Sequence, residues 1–422
     1  MKNFKLMAIA LVAMLGFSAC EKDCNHDFIE HDFTQDIVGT WTFVEDDLAE
    51  AMVIKADGSF TTTGVMKGGY LYEEKGTIKV VNNKVTLAFD GDKDTFEGRL
   101  EFVAGKSLSL VMFDDNDVRL TYDYCENDLS DEILGMWVCN DASTDAQDMM
   151  IQTFDKNGKC TLTGYLPLED DSEQAKNEAT DYKVVGDLLF ITIPAEKIGK
   201  EEPIYVVDKL TYAPDGTAYG DILTLKTYIE IDGKFVESGW SYLRVKQYLN
   251  LDNKVYDYIS AYVSNAKGKD EDFTIGENVF NMSTIKAGNF DMMFRSVLSC
   301  FEFSANSFTY KFRSNDMDIE FATPITVDGN KVTLDMSKMN PACRTVVMHM
   351  FQDKDDSQLH MYMHTDAFIN YFANVEVATL IAMGEINQTD EAAIAKVFAD
   401  MEARVESINV SFVLKARKYS KL

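Results

Sequence analysis

Three of the five histidines stand close together, at His349, His360 and His364, in a stretch that also carries Met348, Met350, Met361 and Met363. Imidazole nitrogens suit zinc and thioether sulfurs suit copper(I), so this stretch raises two metal chemistries at once. Apolar runs at 344–351 and 358–364 flank the polar stretch 352–357, which predicts a β-hairpin. A turn centred on Lys354-Asp355 sets His349 opposite His360. It also turns Met348 and Met350, with Leu359, Met361 and Met363, to the other face. No cysteine or carboxylate is placed to complete either set. The expectation is no metal, but a methionine core face and a polar histidine–tyrosine face.

Other reactive residue types lead to similar conclusions. Asp90-Gly91-Asp92-Lys93-Asp94, with Glu101 in twelfth place, imitates a calcium loop. It puts Thr95 where the sixth-position glycine belongs and lies between strand-like runs, so a solvated acidic turn is expected. Six cysteines besides Cys20 (Cys24, Cys125, Cys139, Cys160, Cys300 and Cys343) contain no Cys-x-x-Cys pair, which argues against zinc. There is no Gly-x-Ser-x-Gly, no Gly-rich phosphate loop and no His-Glu-x-x-His. The chain is therefore read as non-catalytic and without a cofactor. Its 40 Lys+Arg against 70 Asp+Glu give a net charge of −30, which leaves no basic footprint for nucleic acid.

The N-terminus carries an address. Lys2 and Lys5 precede an apolar run at 6–17, the length of a signal-peptide core and too short to span a bilayer. Phe17-Ser18-Ala19-Cys20 resembles a bacterial lipobox, in which the cysteine is acylated and becomes the mature N-terminus. Glu21-Lys22-Asp23 resembles the export tag of surface lipoproteins of Bacteroidota. The resemblance implies a signal peptide over 1–19, a lipid on Cys20 and a place at the bacterial outer membrane, facing the cell surface. Residues 20–36 read as an acidic tether. The mature chain, with 38 Lys+Arg and 70 Asp+Glu, carries −32, so membrane contact is expected through the lipid only.

Two segments of the chain echo each other. Ile37-Val38-Gly39-Thr40-Trp41 returns as Ile133-Leu134-Gly135-Met136-Trp137, the stretch 57–64 as 157–164, and Lys79-Val80-Val81 as Lys183-Val184-Val185. Three matches in one order, with a slowly growing offset, predict two related domains, 37–125 and 129–248. Short β-branched and aromatic runs, among them 84–90, 97–103, 107–113 and 118–124, are separated by turn residues and spaced too closely for crossover helices. A meander closed into a barrel removes exposed edges. Cys139 and Cys160 take the places of Phe43 and Phe60 and are expected to be small buried hydrophobes.

Gly39-x-Trp41 and Gly135-x-Trp137 resemble the signature that opens the lipocalin barrel. That family stacks a last-strand arginine on the tryptophan, which implies the pairs Trp41–Arg119 and Trp137–Arg244. The third unit, 250–422, differs. Val255, Tyr258, Ile259 and Tyr262 have helical spacing, strands follow, and 366–384 and 390–408 read as two helices before a closing strand. Asn83-Lys84-Val85-Thr86-Leu87 returns there as Asn330-Lys331-Val332-Thr333-Leu334, a hint of shared ancestry. The expected fold is mainly β: two antiparallel lipocalin-like β-barrels, then an α+β domain with a sheet or partial barrel covered by helices. The expected role is non-catalytic binding of a small apolar molecule or glycan fragment. The alternative is a structural or interaction protein, or an inhibitor, that displays filled barrels to a protein partner. Trp41, Phe43 and Phe60 should fill the first barrel. If there is a ligand, its site is expected in the third unit, where Met348, Met350, Met361 and Met363 face a helix bearing Phe372. The alternative, and the favoured one, is that helix and stripe simply pack as core.

Overall fold

A computed structural model describes residues 32–417 except 46–47, 67, 113–118, 140–148, 166–174, 177–178, 200, 218–219, 232–233, 270, 276–277, 287–288, 315–316 and 339. Cys20, Cys24 and most of the acidic tether lie outside the described residues. The first barrel is β1 (Gly39–Glu45), β2 (Leu48–Ile54), β3 (Ser59–Met66), β4 (Tyr70–Val81), β5 (Lys84–Phe89), β6 (Thr95–Val103), β7 (Ser107–Met112) and β8 (Arg119–Cys125). Each strand pairs with the next, and β8 returns to β1 through Trp41↔Tyr124. Alternation sets the inner face: on β4, Gly76, Ile78 and Val80 are buried while Lys75, Thr77 and Lys79 are exposed.

The second barrel is β9 (Gly135–Cys139), β10 (Met149–Phe154), β11 (Lys159–Tyr165), β13 (Thr180–Val185), β14 (Leu188–Ile193), β15 (Ile204–Thr217), β16 (Gly220–Ile231) and β17 (Lys234–Val245). β10 pairs with both β9 and β11 and so closes the ring, while the two-residue β12 (Ala175–Lys176) adds to β11. A single helical turn, α1 (Ala195–Ile198), joins β14 to β15.

The third unit corrects the expectation of a sheet or partial barrel. It is a third closed antiparallel barrel: β18 (Lys254–Gly268), β21 (Leu298–Ser304), β22 (Ser307–Ser314), β23 (Met317–Asp328), β24 (Lys331–Leu334), β25 (Val346–Gln352), β26 (Gln358–Met363) and β27 (Val405–Ala416). The stretch of Val255, Tyr258, Ile259 and Tyr262, whose spacing predicts a helix, is β18. Between its first two barrel strands the chain inserts a small hairpin, β19 (Phe273–Ile275) and β20 (Asn278–Phe280), with α2 (Met282–Lys286) and α3 (Asn289–Val297). Between its last two it inserts α4 (Thr365–Ala382) and α5 (Glu391–Glu402). The second of the predicted helices therefore stops well short of 408, because β27 already begins at Val405. In a meander both of these connections leave the same end of the barrel. There Phe290 and Phe294 of α3 meet Phe368 and Phe372 of α4, with Phe294 5.4 Å from Phe412 of β27. The helices thus cap the barrel with aromatic rings.

One backbone framework recurs three times. Ile78, Tyr182 and Ile325, each on the fourth strand of its barrel, donate to the carbonyls of Gly58, Gly158 and Asn306 at 2.8, 2.8 and 3.0 Å. Leu100, Leu210 and Met350, each on the sixth strand, donate to Asn83, Asp187 and Asn330 at 2.8, 2.7 and 2.8 Å. The Asn83/Asn330 echo in the sequence is thus the same turn in two barrels.

The barrels dock through their outer walls. Ala49, Ala51 and Val65 of the first pack on Leu188, Phe190 and Val207 of the second. Val138, Ile151 and Val245 of the second pack on Phe351 of the third.

Candidate functional site

The shared framework aligns the three interiors position by position. The paired residues Trp41↔Met52, Trp137↔Gln152 and Tyr256↔Phe301 align the first two strands. The recurrent bond of Leu100, Leu210 and Met350 aligns the sixth, which places Gly98, Asp208 and Met348 on one site. The partners across the ladder, Leu110, Leu225 and Met361, follow on the seventh. One wall therefore carries three chemistries. It is plain aliphatic in the first barrel, all methionine in the third, and in the second it carries a carboxylate, with Thr227 across from it.

At four inner positions the second barrel gives up packing bulk or hydrocarbon for small or polar groups. Phe43, Met52, Phe60 and Gly98 give way to Cys139, Gln152, Cys160 and Asp208, all buried. The large rings gather instead at one end, where Phe154 and Tyr182 meet at 5.1 Å. Trp137 forms the floor, and its Nε1–H donates to the Ile133 carbonyl at 2.7 Å. Arg244 lies over it with Cζ 4.5 Å from the ring, a cation–π contact. The guanidinium is held by the Leu134 carbonyl at 2.8 Å, the Glu132 carbonyl and the Asp221 carboxylate at 3.1 Å. Asp221 is itself buried, accepts from Tyr212 at 2.9 Å and pairs with Lys354 of the third barrel at 2.7 Å.

Beyond that floor lies a set of polar groups. Asp208 is 3% exposed and accepts from Thr227, while its Oδ1 is buried without a hydrogen-bond partner. Burial pushes its carboxyl up to about 6. Gln152 donates from Nε2 to the Cys160 sulfur at 3.6 Å, and its Oε1 is likewise buried and unpartnered. Burial also pushes the Cys160 thiol up to about 12, with the Asp208 charge adding to it. The Tyr242 hydroxyl is raised by burial, and next by Cys139, Asp208 and Cys160, so these groups share one neighbourhood. A buried polar atom without a partner costs about 1–3 kcal/mol, so Asp208 Oδ1 and Gln152 Oε1 would each gain from a hydrogen-bond donor.

No protein-family model matches the chain, and no curated protein does. The function must be read from the interior itself.

The other predicted residues fall as follows. Trp41 is 1% exposed and donates to the Ile37 carbonyl at 2.8 Å, as Trp137 does to Ile133. The pairing expected of Arg119 is corrected: Arg119 is exposed on the outer wall and pairs with Glu101 at 2.6 Å. Tyr124 occupies the place that Arg244 holds in the second barrel, with its ring 5.0 Å from that of Trp41. Arg119 lies five residues further along β8, about 17 Å away at strand rise. Met348, Met350, Met361, Met363 and Phe372 are all buried in one core with the capping helices, so the methionine stripe packs as core. His349 faces Tyr362, and His360 faces Phe351, a register two residues from the expected one. The centre of the turn has moved one residue on, and Asp353 holds it there, its carboxylate accepting from the Ser357 and Gln358 amides at 2.6 and 3.1 Å. Burial holds His349 and His360 down to about 3 and about 4, so both are neutral. Among the described residues no group of three or more His, Cys, Asp or Glu is placed to hold a metal ion.

Sequence reasoning missed the buried acids, Glu50 and Asp208 on inner walls among them. Glu50, inside the first barrel, accepts from the hydroxyls of Tyr72 and Tyr122. Burial raises its carboxyl. Gly64 makes room for this, since a Cβ there would come within 2.4 Å of the Tyr72 ring. Both Glu50 oxygens are satisfied, so this is a closed structural cluster. Asp208 could have been found from alternation, because it shares parity with Leu210 and Tyr212.

Proposed function

We propose that this chain is a lipid-anchored, non-catalytic binding protein of the bacterial outer membrane whose second barrel encloses a small molecule. The observation that carries the reading is the exchange of Phe43, Met52, Phe60 and Gly98 for Cys139, Gln152, Cys160 and Asp208 within a shared backbone framework. The first barrel spends those positions on packing. The second keeps the Trp137 floor but lines its middle with polar groups, as small-molecule sites do. The third is filled by methionine and capped by helices, which supports a scaffold role for it. The lipocalin-like Gly-x-Trp opening and the lipobox at Cys20 support the same assignment. Among the described residues no helix is long and apolar enough to cross a membrane.

Native mass spectrometry of the freshly purified chain tests the binding role. A retained small molecule, lost in a Cys139→Phe/Cys160→Phe variant that restores the packing of the first barrel, is the expected result. A chain that carries no added mass and shows no ligand-dependent stabilisation returns the function to the display of filled barrels to a protein partner. For the anchor, Cys20→Ala should move the protein from the membrane fraction to the soluble one. Continued pelleting would remove the lipoprotein assignment.

A further inference from the structure

We infer that the second barrel binds a small organic cation bearing N–H donors, an amine or an amidine, held between Asp208 and Gln152. This rests on the reading of that barrel as a binding chamber and names its ligand. Asp208 Oδ1 and Gln152 Oε1 are both acceptors, both buried and both unpartnered, and both side chains act on the same thiol, Cys160. A ligand that supplies acceptors would leave them unpaired, whereas one that supplies donors satisfies them.

Charge selects among donors. Among the described residues no cationic side chain is a named influence on Asp208, whose carboxyl answers to burial and to Thr227. The barrel's inward arginine, Arg244, is committed to Asp221 and two carbonyls at the floor. A buried carboxylate without a countercharge is strongly disfavoured, so a cation arriving from solvent gains more here than a neutral polyol of the same shape. Glu50 of the first barrel is no rival site, because both its oxygens are already taken by tyrosine hydroxyls.

The test uses the full chain in detergent and four probes of one shape: 2-phenylethylamine, 2-phenylethanol, phenylacetate and ethylbenzene. Binding is followed by calorimetry and by tryptophan fluorescence. The amine should bind at least tenfold tighter than the alcohol. Asp208→Asn should cut amine affinity at least tenfold and leave the alcohol unchanged, Gln152→Leu should weaken the amine several-fold, and Glu50→Gln should alter nothing. If the alcohol or ethylbenzene binds as well as the amine, or if Asp208→Asn leaves the amine unaffected, the cation assignment fails while the chamber stands. If none of the four binds and nothing co-purifies, ordered water fills the interior and both readings fall.

Discussion

Asp208→Asn should make the ligand-free protein more stable, and by an amount that depends on pH in a defined way. The folded carboxyl keeps its proton up to about pH 6, whereas an ordinary aspartate releases it near 3.8. Between these values the folded state holds a proton that the unfolded chain has lost, so stability falls as pH rises through the window. The span from 3.8 to about 6 amounts to about 3 kcal/mol at ~1.36 kcal/mol per pH unit. Below pH ~4 the side chain contributes nothing to the slope, and above pH ~6 the full penalty is present. Asparagine keeps the shape and cannot ionise. The advantage of the variant over the parent should therefore grow by about 3 kcal/mol between pH 4 and pH 7.5. Glu50 also titrates upward, but it is present in both proteins and cancels in the difference. Three barrels need not unfold as one, so a Trp41→Phe background is used; fluorescence then reports Trp137 and Trp240, both in the second barrel. Urea midpoints across the pH range give the difference directly. Parallel profiles for the two proteins would refute the buried, unpaired carboxylate.

Arg244→Met should cost about 3 kcal/mol, since it strips the Trp137 floor and removes one partner of the buried Asp221. Arg119→Ala, on the outer wall, should stay within about 0.5 kcal/mol; equal urea midpoints for the two variants would deny the difference between the barrels. Met350→Ala should destabilise by about 2–5 kcal/mol, as a fully buried core residue does, and a loss below about 1 kcal/mol would mean the stripe is not packed. Cys139 and Cys160 should resist a bulky aromatic disulfide at pH 8 until the protein is unfolded, because both are buried and the Cys160 thiol lies at about 12. Rapid labelling of either in the native protein would contradict their inward placement.

The barrels were legible where the signal was local and periodic. The repeated Gly-x-Trp openings, the turn residues and the alternation on strands such as β4 announced the first two. The third was obscured at its first strand. On β18 the core-facing residues are Tyr256, Tyr258, Ala261 and Val263, with a bulge between Tyr258 and Ser260. That extra residue shifts the period from two toward three and imitates a helix. Its closure, β27 on β18, joins residues more than a hundred positions apart and leaves no local trace. The Arg119 assignment failed for want of register: only the pairing Trp41↔Tyr124 shows which residue of β8 reaches the floor. Asp208 was one acid among 70 acidic residues, and its meaning appeared only once the same position was seen as Gly98 in one barrel and Met348 in another.

Tandem copies loosen the conflict between holding a shape and changing a job. A lone barrel that acquires an unpaired buried acid risks its fold, because a domain's whole margin is only about 5–15 kcal/mol. Here the copy with the unpaired acid is flanked by one whose buried Glu50 is fully paired and one whose interior is walled with methionine, docked to it through Phe190 on one side and Phe351 on the other. The neighbours act as splints, and the inner wall of the middle copy is left free to drift. Exchanging wall residues between copies, with the backbone framework untouched, would be a direct route to new specificities in a chain of this kind.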